Sequence, residues 1–152
     1  MAIVELDNLP KSGPLLGLDP GSKTIGVAGC DALRLIASPI ETIRKGKKAG
    51  PVLERIEALY QERHCVGLVI GLPLHMSGEE GPRVQSARAL ARNILNRFDV
   101  PIAFQDERLS SAQAERAMLD ADLSRARRAE LIDASAASVI LQTAIDRLAN
   151  AQ

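Results

Sequence analysis

The stretch LLGLDPGSKTIGVAGC, residues 15–30, decides the fold. An apolar run, LLGLD, stops at Asp19; Pro20, Gly21 and Ser22 supply turn chemistry; TIGVAGC is a second apolar run. Two short strands separated by Pro-Gly read as an antiparallel hairpin closed by a type II turn. LRLIAS, residues 33–38, follows as a third strand and Pro39 breaks the pattern, so the chain opens as a three-stranded meander.

Downstream the texture changes. The basic stretch RKGKKAG, residues 44–50, leads into PVLERIEALYQERH, where Val52, Ile56, Leu59 and Tyr60 recur at helical spacing behind Pro51. VGLVIGLPL, residues 66–74, is a continuous apolar run of the kind buried on both faces in a parallel sheet. A polar loop, HMSGEEG, precedes a helix over residues 82–98, whose Val84, Ala87, Leu90, Ala91, Ile94 and Leu95 point inward. PIAFQDE gives a fifth strand ending near Asp106 and Glu107, and two helices follow, over residues 110–119 and roughly 128–149. The order βββαβαβαα specifies an α/β fold: a mixed five-stranded sheet, three antiparallel strands and then parallel ones, flanked by helices. Residues 1–13 read as an N-terminal extension and 14–152 as one domain.

A chain of 152 residues buries enough surface in one core to fold without a disulfide or structural metal. Its 19 basic side chains balance 19 acidic ones, which excludes a protein that coats polyanions through its overall field. One Tyr, two Phe and no Trp exclude a platform on which several bases stack. Cys30 and Cys65 are far apart, and His64 and His75 add too few ligands for zinc; this is the cysteine usage of a reducing cytosol. No apolar run approaches a membrane span and the first residues do not resemble a secretion signal, so a cytoplasmic location is expected.

Three acidic residues stand out. Asp19 ends a strand in phase with Gly17 and Leu15, although Asp-Pro-Gly-Ser is also ordinary turn chemistry. Asp106 and Glu107 end the fifth strand; adjacent strand residues face opposite sides, so only one of them can look into a given cleft. Asp133 shares a helical stripe with Ala136, Ala137, Ile140 and Ala144, a packing face on which a carboxylate is costly unless paired or bound to a cation. The alternative for Asp133 is a helix-dipole preference near a helix start. Ser110 and Ser111 suit a helix cap. Oxygen ligands without His or Cys match Mg²⁺ or Mn²⁺, and two such ions suit phosphoryl chemistry.

LLGLDPGSKTIGVA, GLPLHMSGEEGPR, QDERLSSAQA and LIDASAASVILQ, in this order, resemble the successive motifs of the YqgF family, also called RuvX, whose members are described as nucleases of precursor 16S rRNA and as Holliday junction resolvases. The resemblance spans nearly all of residues 15–142. It implies a ribonuclease H-like fold related to the RuvC resolvases, with Asp19, Glu107 and Asp133 as catalytic and metal-binding positions for Mg²⁺ or Mn²⁺, two ions being expected. It also implies that Lys23, Arg108 and Ser110 meet substrate and that Gly71, Gly78 and Gly81 let backbone approach it. Thr24 departs from the pattern, standing where a further basic residue is usual.

The implied activity is a metal-dependent endonuclease on structured nucleic acid, processing the 5′ end of precursor 16S rRNA. Branched DNA is the alternative substrate, and a monomer or homodimer is compatible with the motifs. Arg44, Lys45, Lys47 and Lys48 form one basic cluster and Arg125, Arg127 and Arg128 another, each either solvated or in contact with phosphate. Two readings of other classes remain: a non-catalytic ribosome-assembly or nucleic-acid-binding factor, and an ATP phosphotransferase, which is expected to need a second, similar domain, whereas these 152 residues show neither the length nor a repeated motif for one.

Overall fold

The computed structural model describes residues 3–72, 81–106 and 125–150, with side chains for all of these except 125–135 and 150. Leu15–Pro20 (β1), Thr24–Gly29 (β2) and Ser38–Arg44 (β3) are followed by helix Gly50–Glu62 (α1) and strand Gly67–Leu72 (β4). Helix Pro82–Arg97 (α2), strand Ile102–Asp106 (β5) and helix Arg125–Asn150 (α3) complete the described elements. The helix expected over residues 110–119 falls outside the described residues.

The strands form one sheet in the order β3-β2-β1-β4-β5. The β1–β2 and β2–β3 pairs are antiparallel, and β4 joins β1, and β5 joins β4, in parallel. Strand alternation divides the core between two faces. On one, Leu16, Leu18, Ile25, Leu68 and Ile70 pack against Val52, Ile56 and Leu59 of α1 and Ala87, Ala91 and Ile94 of α2. On the other, Leu15, Ala28, Val69 and Ala103 pack against Ala137, Ile140, Leu141 and Ala144 of α3. Leu6 and Leu9 of the N-terminal residues join this second cluster, and Val4 N–H donates to Ile102 O at 2.7 Å.

The structure corrects three local expectations. Residues 33–37 are not a strand, and the third strand is Ser38–Arg44. Asp31 Oδ1 accepts the Leu33 and Arg34 N–H groups at 3.1 and 3.0 Å, and Arg34 takes a positive φ of 54°, which turns the chain out of an extended path. Pro39 does not end the strand but lies inside it, opposite Ala28; β3 is an edge strand, where a missing N–H costs no ladder bond. The hairpin does not turn at Pro20-Gly21 either. Pro20 still pairs with Ile25, Gly21 N–H donates to Thr24 O at 2.8 Å, and Gly21 lacks the positive φ a type II turn needs, so the tip is Ser22 and Lys23.

Candidate active site

Ligands of open α/β sheets collect beyond the carboxyl ends of the parallel strands. Here that edge is formed by the ends of β1, β4 and β5, which carry Asp19, Gly71 and Asp106.

Asp19 pairs with Gly26 across the ladder and shares the strand face of Leu15 and Gly17, the face covered by α3. Its side chain is partly buried, and Oδ1 is closed off from solvent with no hydrogen bond to that atom, while the carboxylate has other interactions in the structure. A carboxylate oxygen withdrawn from water suits a hard cation.

The hairpin that carries Asp19 is braced by two cations from other elements. Arg83, in the first turn of α2, donates from Nη2 to Pro20 O at 3.3 Å. Lys45, just beyond β3, donates from Nζ to Gly21 O, and its backbone N–H donates to Lys23 O at 2.9 Å. Burial, and then the nearby Arg83 charge, pushes the Lys45 ammonium below its usual range. Lys23 is exposed at the tip. Three cationic side chains therefore belong to or brace the segment next to Asp19, a positive surround suited to phosphate.

Asp133 lies eight residues after Arg125, in the interior of α3. A helix dipole acts only on the terminal turns, so the dipole explanation for this residue fails. One helical turn beyond Asp133, the Ala137 carbonyl lies only 3.3 Å from the position a Cβ on Gly17 would occupy. The small residues of α3 allow that approach, and the helix turn that meets Gly17 adjoins the turn carrying Asp133. Gly17 is itself two residues before Asp19 on the same strand face.

At the end of β5 the parity is set by Gln105, which is 4% exposed and accepts Arg147 Nη1 of α3 on Oε1 at 2.9 Å. Ala103 and Gln105 thus face α3, and Asp106 has the opposite parity with Phe104. Gln105 Nε2 also donates to Asp106 O at 3.1 Å, tying down the strand end. Sequence reasoning missed Gln105, because a glutamine between Phe104 and Asp106 carries no motif. It also missed the bracing roles of Arg83 and Lys45.

Glu107, Arg108, Ser110 and Gly78 lie outside the described residues, and Asp133 is described by its backbone alone. Gly71 is buried near the end of β4, paired with Gln105. Gly81 precedes α2 in an extended conformation, and no side chain caps that helix. Among the described residues no group of three His, Cys, Asp or Glu side chains is placed to hold a metal ion. His64 and Cys65 are no ligand pair: His64 is an exposed residue just past α1 and Cys65 a buried thiol.

A family model described as RuvX, Holliday junction resolvase, matches residues 13–147. The chain belongs to the RuvX family. A protein of Rhodobacter capsulatus named "Putative pre-16S rRNA nuclease" is 56% identical over 142 residues, covering 93% of this chain and 89% of that protein. A protein of Bradyrhizobium sp. with the same name is 55% identical over 141 residues, covering 92% of this chain and 86% of that one. Among solved structures, Thermus thermophilus RuvC in complex with a Holliday junction substrate superposes with a TM-score of 0.58 at 17% identity, covering 90% of this chain and 96% of RuvC. That likeness establishes the fold as RuvC-like and ribonuclease H-like. In this family member, the first motif is the β1–β2 hairpin with Asp19, and the last is the part of α3 that packs on Gly17.

Proposed function

We propose that the chain is a divalent-metal-dependent endonuclease that cuts phosphodiester bonds of structured nucleic acid, with the 5′ end of precursor 16S rRNA as substrate and the cytoplasm as its place of action. The supporting observation is the setting of Asp19: a shielded carboxylate at the carboxyl end of β1, on the α3 face, next to a hairpin braced by Lys45 and Arg83. The names of the relatives point to the same chemistry and supply the RNA substrate. No helix among the described residues is long and apolar enough to cross a membrane.

Asp19 and Asp133 would hold the ions, with Glu107 as the third carboxylate; Glu107 has the sequence parity of Ala103 and Gln105, the residues of β5 that face α3. Two bound Mg²⁺ or Mn²⁺ ions would supply Lewis acidity to the phosphate and lower the pKa of a water. Glu107 would orient the attacking water, while Lys23 and Arg108 would meet the phosphate charge. Ser110 and the backbone at Gly71, Gly78 and Gly81 would border the substrate path in this reading. The water oxygen bonds to phosphorus as the bond to the leaving sugar oxygen breaks; the water gives up its proton and the leaving oxygen gains one.

The family description favours a second substrate, the four-way DNA junction, which presents the same bond but requires two sites in symmetric arrangement. The test is to incubate wild type and Asp19→Asn with Mg²⁺ or Mn²⁺ on precursor 16S rRNA and on a four-way junction. Wild type should cut the RNA, and the variant should lose at least about a hundredfold in rate. Equal cutting by both proteins refutes the site, no cutting by wild type favours a non-catalytic assembly factor, and cutting of the junction alone reassigns the substrate.

A further inference from the structure

On the face of the sheet opposite α3, a groove of about 330 Å³ runs between the loop after β3 and helix α2. Its floor is apolar, with Ile25, Val52 and Leu90, and Lys47 and Lys48 stand on one wall opposite Asn93 of α2. No acidic residue lines it, although the chain has as many acids as bases. Elsewhere two arginines of α1 and α2 are neutralised locally: Arg55 pairs with Glu41 at 2.7 Å and Arg97 with Glu57 at 2.9 Å. Lys47 and Lys48 are exposed and make no ion pair among the described residues.

The groove is continuous with the candidate active site through Lys45. This residue lines the groove and at the same time holds Gly21 O and Lys23 O of the hairpin that carries Asp19. A nucleic-acid strand leaving the Asp19 edge can therefore pass round the hairpin tip, over Lys23, and meet Lys45, Lys47 and Lys48 in turn. A groove at the small end of ligand-pocket sizes matches the width of one sugar–phosphate chain with its base face on the apolar floor. The lack of tryptophan, and of any aromatic residue in the lining, leaves phosphate contact and apolar cover, so the contact is independent of sequence.

We propose that the α1–α2 groove is a docking track for a single-stranded flank of the nucleic acid cut at the Asp19 edge, held through its phosphates by Lys45, Lys47 and Lys48. This inference rests on the nuclease reading for its substrate, but its test does not depend on turnover. Binding is measured in metal-free buffer, with one RNA duplex prepared blunt and with a single-stranded overhang at either end. Wild type should bind an overhang form more tightly than the blunt form. Lys47→Ala/Lys48→Ala should lose that preference, roughly five- to tenfold, and the slope of log affinity against log salt should become shallower by about 1.4, the share of two phosphates on a single strand. Asn93→Glu, on the opposite wall and remote from the core, should lose the preference as well.

Equal binding of blunt and overhang forms by wild type overturns the track, as does a preference kept by both variants. Equal loss on both forms also overturns it, since that result makes the lysines general phosphate contacts. If a free nucleoside monophosphate, but not the overhang, protects Lys47 and Lys48 from acylation, the groove is a mononucleotide site and the proposal fails. The nuclease reading stands or falls separately on Asp19→Asn.

Discussion

Gly17 of β1 and Leu141 of α3 touch so closely that a Cβ on Gly17 would lie 2.9 Å from Leu141 Cβ, and the backbone of Ala137 allows no retreat at 3.3 Å. This contact sets how near α3 lies to the strand that ends in Asp19. Gly17→Ala must push the helix outward or strain the strand, at a cost of about 1–3 kcal/mol. For a chain of this size the melting temperature should fall by roughly 2–4 °C per kcal/mol. Gly50→Ala is the control, because a Cβ there meets nothing within 4 Å and α1 gains a better helix former. Thermal melts of the two variants check this: a Gly17→Ala protein as stable as wild type would mean that the helix packing is loose.

Arg83 and Lys45 grip adjacent carbonyls, Pro20 O and Gly21 O, from separate elements. Both contacts are partly buried and charge-assisted, each contributing about 1.5–3 kcal/mol at most. Arg83→Ala and Lys45→Ala should each lower nuclease kcat/KM by roughly tenfold, about 1.4 kcal/mol of transition-state stabilisation. Because the two side chains hold one hairpin, the double variant should lose less than the product of the single losses. Steady-state kinetics on all four proteins measure that coupling; fully multiplicative losses would show that the two braces act independently.

How much of this was legible in the sequence depends on the range of the forces involved. The β1–β2 hairpin, β4, α1 and α2 follow from local periodicity, and their cores are the expected Leu, Ile, Val and Ala positions. Residues 33–37 misled because an apolar run there mimics a strand. A local turn at Asp31 starts the departure, and distant contacts hold it: the Arg34 guanidinium donates to Gly13 O at 2.7 Å and Pro10 O at 2.6 Å, and Gln142 of α3 holds both Leu35 O and Ala37 N–H. The place of Asp19 near the end of an apolar strand was readable from the run LLGLD, and the parity argument for Asp106 and Glu107 needed only strand geometry. Which parity faces α3 was not readable, since Arg147 and Gln105 are 42 positions apart.

Gln105 is a buried polar group whose two ends are both used, Oε1 by Arg147 and Nε2 on Asp106 O. Gln105→Leu keeps the volume but leaves the Arg147 guanidinium and the Asp106 carbonyl each without that partner. The cost of such losses is about 1–3 kcal/mol. Thermal unfolding should shift down accordingly, and Arg147→Leu added to it should recover part of the loss, because both polar ends are then apolar. A double variant less stable than Gln105→Leu alone would show that Arg147 stabilises the fold by some other contact.

Tyr60 and Cys65 give the fold a weakness at high pH. Burial pushes the Cys65 thiol up to about 11, and burial followed by the neighbouring Cys65 pushes the Tyr60 phenol up to about 12. Tyr60 sits against Phe98 with ring centroids 5.3 Å apart, and Cys65 is in the same core cluster. Both groups are neutral when protonated, and the folded state keeps its protons to higher pH than the unfolded chain, whose thiol and phenol titrate near 9 and 10. Stability from these groups is therefore complete below about pH 9 and falls as pH rises from there toward 12. The combined loss should be on the order of 1–2 kcal/mol once solvent screening is included. Denaturant unfolding at pH 8 and at pH 10.5 measures it, with Cys65→Ala and Tyr60→Phe as the variants that flatten the alkaline slope. A slope unchanged in both variants would place the alkaline sensitivity elsewhere.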